Sequence, residues 1–169
     1  MVIIVVALIG GVAWFLLVRR RHGAALGVDG SGRAPAPGGG DPLANLSDNC
    51  PHWIQCDLAL LSIGAVTVPR GSETAGTELE YILDHSGATV VLVETHRLFE
   101  RMHDAFAAAN VRTVIMMDDS ARKCEPPAGI TVQDLRTIAD LGRSGKVGVE
   151  IPSRSVTPAD LATIVYTSG

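Results

Sequence analysis

Cysteine is scarce, with three in 169 residues and no even, closely spaced framework. That excludes a disulfide-built scaffold and suits a thiol-reducing compartment. Basic charge is scarce as well: 14 Lys plus Arg stand against 18 Asp plus Glu, and outside Arg19, Arg20 and Arg21 the balance is 11 against 18. Such a chain has no basic patch to offset phosphate charge, which excludes a nucleic-acid surface. It also has no repeat of fixed period, no GxGxxG fingerprint, no lysine-bearing Walker loop and no Ser/His/Asp order. An apolar content of 47% excludes a disordered acidic tail and leaves material for about one ordinary domain.

The mean hydropathy of +0.27 is high for a soluble domain, and one segment explains most of it. Val2 to Val18 carries no charged or polar group and runs into the three arginines. As a helix these residues span about 26 Å, slightly short of a bilayer core of roughly 30 Å, with Trp14 near the basic end. Secretory signals place positive charge before the apolar run, the reverse of this order. The positive-inside bias therefore reads residues 2–18 as a single-pass anchor whose following domain is cytoplasmic. An uncleaved signal or an apolar leader from a misassigned start codon are the other readings. Residues 19–42 combine the basic flank with a Gly/Ala/Pro-rich stretch lacking a hydrophobic period, which is the composition of a linker.

From residue 43 to 169, apolar runs of strand length alternate with amphipathic helices. Asp48 or Asn49 is expected to cap a helix that has Pro51 in its first turn and ends at Gly64. Ala65-Val66-Thr67-Val68 reads as a strand closed by Pro69. A helix starting at Thr74 or Thr77 ends at Gly87, followed by a strand from Thr89 to Val93. Phe99, Met102 and Phe106 stripe a third helix over His96–Ala109, with Asn110 as its left-handed stop. Val114–Met117 is the next strand, Val132–Leu141 a short fourth helix, and Leu161–Tyr166 a last buried strand. Asp41-Pro42-Leu43-Ala44-Asn45 is a poor strand, with Pro and Asn where apolar residues are wanted. Fully apolar strands separated by helices require a parallel sheet with helices on both faces, an α/β fold. Ligands of such sheets collect at the carboxyl ends of the strands, here the turns after Val68, Val93, Met117 and Tyr166.

The last of these turns is the most informative. Tyr166-Thr167-Ser168-Gly169 sets two hydroxyls and a glycine at a strand end, where successive N–H groups can converge on phosphate oxygens. An ordinary turn has the same composition. Asp160 to Gly169 nevertheless resembles the opening of the phosphate-loop signature of the adenylate-forming (AMP-binding) synthetases. Leu46-Ser47-Asp48-Asn49-Cys50-Pro51-His52-Trp53, Asp57-Leu58-Ala59 and Gly64-Ala65-Val66-Thr67-Val68-Pro69 are similar to a segment of the long-chain fatty acyl-CoA synthetases, and Tyr81 to Ala88 extends the likeness.

That resemblance implies a ligase that joins a fatty acid to coenzyme A with ATP and Mg2+, with Thr167, Ser168 and Gly169 contacting the ATP phosphates. It also implies that the lysine end of the loop, the metal and ribose acids and a mobile C-terminal domain would lie past Gly169, so that this chain alone is expected to be inactive. Catalytic residues are not assigned. The competing reading is a membrane-tethered, catalytically empty α/β binding or scaffold remnant. Neither acyl chain length nor oligomeric state is legible.

His52 and Cys56, four apart with Cys50 nearby, suggest a metal site, but a capping-region histidine and a partly buried thiol explain them equally. His85, His96 and His103 are expected on solvated helix faces, and Asp118 and Asp119 in a plain turn that also suits a cation.

Overall fold

The computed structural model describes residues 41–144 and 157–167. The anchor expected at 2–18, nearly all of the linker, and Ser168 and Gly169 lie outside them. No helix among the described residues is long and apolar enough to cross a membrane.

Among the described residues five strands form one parallel sheet: β1 (Pro42–Leu46), β2 (Val66–Arg70), β3 (Val90–Val93), β4 (Thr113–Met116) and β5 (Thr131–Asp134), in the spatial order β2-β1-β3-β4-β5. The helices are α1 (Pro51–Ser62), α2 (Gly76–Ser86), α3 (His96–Ala108) and α4 (Leu135–Arg143), with a 3-10 turn at Ala121–Lys123. One face of the sheet, bearing Ala44, Leu46, Val68, Val91, Val93, Val114 and Met116, packs on Leu79, Ile82 and Leu83 of α2 and Leu98, Phe99, Met102 and Phe106 of α3. The opposite face, bearing Leu43, Val90, Leu92 and Ile115, packs on Cys56, Ala59 and Leu60 of α1 and Leu135 of α4. Period-2 alternation with both faces covered makes β3 apolar throughout, so the expected architecture of a helix-clad parallel sheet is the one found.

Four local expectations are corrected. Asp41–Asn45 is not a poor strand, because Pro42–Leu46 is β1, paired on both sides near the middle of the sheet. Pro42 is its first residue, a strand position that tolerates a missing N–H donor. Residues expected in a helix from Val132 begin instead with β5, an edge strand, and the helix starts only at Leu135. Helix α3 ends at Ala108, with Ala109 extended, and Asn110 takes no left-handed conformation. Cys50, not Asp48 or Asn49, caps α1, its sulfur accepting the Trp53 N–H at 3.3 Å. Gly87 does end α2 as expected, at φ 74°.

Asn45 is the anomaly of the core. It is fully buried in β1, and neither its Oδ1 nor its Nδ2 has a hydrogen-bond partner among the described residues. An unpaired buried amide costs about 1–3 kcal/mol, while leucine has the same branching without polar atoms. Asn45→Leu is therefore expected to raise unfolding stability by about that amount, seen as a higher urea midpoint at unchanged slope. A lower midpoint would show that the amide is bonded in solution.

Candidate functional site at the carboxyl edge of the sheet

The carboxyl ends of the strands carry the polar groups, and the backbone explains where each points. Ser47 and Asp48 follow β1, and Glu94 follows β3, the neighbours between which the sheet connections diverge. Glu94 fills that crevice: its Oε2 accepts the Asp48 N–H at 2.9 Å and the Ser47 hydroxyl at 3.3 Å. Asp48 turns towards β2, where its carboxylate accepts the Ser72 N–H at 2.9 Å and the Ser72 hydroxyl at 2.6 Å. The Ser72 hydroxyl, and then its amide, hold the Asp48 carboxyl below the usual carboxylate range. After β4, Asp118 accepts the His96 N–H at 3.0 Å and also the Ser120 hydroxyl, while Asp119, at φ 56°, pairs with Arg136 at 2.7 Å. These carboxylates tie the turns together. Among the described residues no three His, Cys, Asp or Glu side chains could hold a metal ion.

The fourth turn is built differently. Leu161–Thr167 runs alongside β2, and the Thr67 N–H donates to Ala162 O at 3.0 Å while the Ile164 N–H donates to Thr67 O at 2.9 Å. This single parallel bridge, Thr67 with Thr163, is the whole of its pairing with the sheet among the described residues. The expectation of a buried interior strand at Leu161–Tyr166 is thereby corrected: the segment is an edge, with Thr163 exposed and Val165 63% exposed. Parallel pairing still delivers its carboxyl end to the same rim as β1 and β2, and Thr167 emerges there exposed to solvent. Ser168 and Gly169, the other two expected phosphate contacts, lie outside the described residues.

Arg70, the last residue of β2, joins the two parts. Its Nη1 donates to Tyr166 O at 2.9 Å, and its Nη2 is paired with Glu78 of α2. Beside it opens a cavity of about 310 Å3 lined by Ser47, Asp48, Asn49, Trp53, Pro69 and Arg70. The block around Ser47–Pro69 and the segment ending in Thr167 are thus brought to one place although some hundred residues separate them in sequence. A guanidinium, the Ser47 hydroxyl, the Asp48 carboxylate and a half-buried indole around an open cleft suit a planar polar ligand. Sequence reasoning passed over Arg70, whose only local sign was a cation directly after an apolar strand.

The other candidates resolve into structural roles. Cys56 is buried, Cys50 caps α1 and His52 is exposed, so this trio forms no metal site. His103 lies beside Asp104, whereas half-buried His96 contacts Lys123 O at 3.2 Å and Glu100 at 3.4 Å. His85 is exposed as expected, yet its ring meets Tyr166.

Burial, and secondarily the charges of Cys50 and Asp57, pushes the Cys56 thiol from 9.0 up to about 12. Between these values the unfolded chain has lost this proton and the folded chain keeps it, so stability must fall as pH rises. The expected slope is about 1.4 kcal/mol per pH unit. Urea titrations from pH 9 upward should show that slope reduced by this amount in Cys56→Ala, and equal slopes in the two proteins would refute the assignment.

Comparison with known proteins agrees with this fold. The family model described as AMP-binding enzyme matches residues 37–169. Among curated relatives, the probable acyl-activating enzyme 16 of Arabidopsis thaliana is 28% identical over 142 residues, covering 76% of this chain and 19% of that protein. The fatty acyl-CoA synthetase A of Dictyostelium discoideum is 25% identical, with 77% and 19% covered. The chain therefore spans about a fifth of the length of these relatives. The A-PCP didomain of a carboxylic acid reductase from Segniliparus rugosus, solved in complex with AMP, shares the fold with a TM-score of 0.64 at 17% identity, over 77% of this chain and 20% of that one.

Proposed function

The chain belongs to the AMP-binding enzyme family, as part of an adenylate-forming domain, and from that footing we propose that it is the N-terminal portion of a fatty acyl-CoA ligase. The observation that carries the reading is the Arg70 contact to Tyr166, which joins the β1–β2 rim to the turn that opens the phosphate loop. The similarity to a fatty acyl-CoA synthetase supports a fatty acid as the substrate.

In this reading the fatty carboxylate attacks the α-phosphate of ATP, pyrophosphate leaves, and the acyl group of the adenylate then passes to the thiol of coenzyme A with loss of AMP. Both steps gather negative charge on phosphate oxygens, which calls for convergent hydroxyl and N–H donors in place of carboxylates. Thr167, Ser168 and Gly169 supply that donor type, and Thr167 is exposed at the rim. Magnesium, when bound with ATP, would neutralise phosphate charge; the described residues supply no cluster for it. The apolar run of residues 2–18 suits a tether to the lipid phase in which a fatty substrate resides.

ATP–pyrophosphate exchange with a long-chain fatty acid tests the proposal, run on this chain and on a longer version that continues past Gly169 in the reading frame. Exchange in the longer version alone is expected. Silence in both overturns the ligase reading and leaves an α/β binding or scaffold module.

A further inference from the structure

Among the described residues Leu161–Thr167 has one backbone bridge to the sheet, at Thr163, yet the residue that directs the chain into the Thr-Ser-Gly turn is Tyr166, three positions later. The hold on the Tyr166 side chain comes from α2. The His85 Nδ1 lies 2.8 Å from the Tyr166 hydroxyl, and the two rings meet edge to face at a centroid distance of 5.7 Å and 82°. One helical turn earlier, Tyr81 stacks on His85 at 5.5 Å and 20° and meets Tyr166 edge-on at 6.5 Å. The backbone of the same residue is gripped by Arg70, itself anchored on α2 through Glu78. The Tyr166 side chain is thus held by α2 and its carbonyl by Arg70 of β2, which Glu78 in turn ties to α2.

We infer that α2 is a clamp for the phosphate loop, with His85 as its positioning residue: by holding the Tyr166 hydroxyl, it sets the direction in which Thr167 leaves the sheet edge. The inference rests on the reading of Thr167–Gly169 as a phosphate loop. His85 acts through Tyr166 and carries no proton in the reaction. Its neighbour Tyr81 is 60% exposed, an apolar ring left at the surface where its stacking on the imidazole gives it a role. Small misplacement of a group that orients a reacting phosphate costs about 10- to 100-fold.

Two measurements test the clamp. In the full 169-residue chain, His85→Ala is expected to speed amide hydrogen exchange at Ile164 at least about tenfold while leaving Leu92, in the sheet centre, unchanged. In the longer protein, His85→Ala and Tyr166→Phe should each raise the KM for ATP about tenfold or more with the fatty-acid KM unaltered. The double variant should be no worse than either single one, because both delete one contact. His85→Asn, whose amide occupies the position of Nδ1, should restore most of the loss. Unchanged exchange at Ile164 overturns the clamp whatever the activity. Faster exchange at Ile164 with an unaltered ATP KM, or with independent, additive effects of the two substitutions, overturns the positioning role. Absence of pyrophosphate exchange in the unsubstituted longer protein defeats the ligase reading instead, and the link to a phosphate loop with it, even where Ile164 responds.

Discussion

Phe99→Ala is expected to cost about 3–5 kcal/mol of unfolding stability, the range for deleting a fully buried phenylalanine. The ring is 0% exposed on the inner face of α3, 5.8 Å from the Phe106 ring and edge-on to His103 at 6.4 Å. It belongs to the cluster that joins α2 and α3 to Ala44, Val91, Val93, Val114 and Met116 of the sheet. Backbone ladders on both sides of β3 keep the sheet from collapsing into the space left, so the cavity penalty adds to the lost transfer energy. Against a total stability of about 5–15 kcal/mol, this is a large fraction. A urea midpoint lowered by more than about 1 M is the expected reading, with Phe99→Leu much milder. A loss below about 1 kcal/mol would place Phe99 outside the core.

The second large effect concerns the turn itself. Combined Thr167→Ala and Ser168→Ala substitution in the longer protein is expected to lower pyrophosphate exchange about 100-fold or more, the scale for removing donors aimed at developing oxyanion charge. Folding should be unaffected, because Thr167 is exposed and outside both apolar clusters. Unaltered urea midpoints alongside the lost exchange separate the two explanations. Wild-type exchange rates in the double variant would remove these hydroxyls from the site.

How far the sequence disclosed this arrangement depends on the source of each element's stability. α2, β3 and α3 were legible because their own side chains decide them: Leu79, Ile82 and Leu83 share a stripe, Val90–Val93 is apolar on both faces, and Gly87 ends α2 at positive φ. β1 was not, since Pro42 and Asn45 argue against a strand and only pairing with β2 and β3 overrides them. Val132, Leu135 and Ile138 carry a helical spacing across a boundary, but Thr131–Asp134 gains an edge of β4 by extending. The Thr167 turn stood out for its hydroxyls, and the place of Thr167 at the rim follows from a parallel bridge to Thr67. The contacts of Arg70 and His85 were hidden because their partner, Tyr166, is remote in sequence: 96 residues separate it from Arg70 and 81 from His85. No local pattern encodes such a contact.

In the proposed reading the turn beginning at Thr167, carried to the sheet rim by its pairing with β2, receives the phosphates of a nucleotide. Locating those phosphates tests it most directly, in a structure of the longer protein determined with ATP. Phosphate oxygens are expected within hydrogen-bond reach of the Thr167 and Ser168 hydroxyls, beside the carboxyl ends of β1 and β2. Phosphates seated anywhere else on the sheet, with these two hydroxyls facing water, would contradict it.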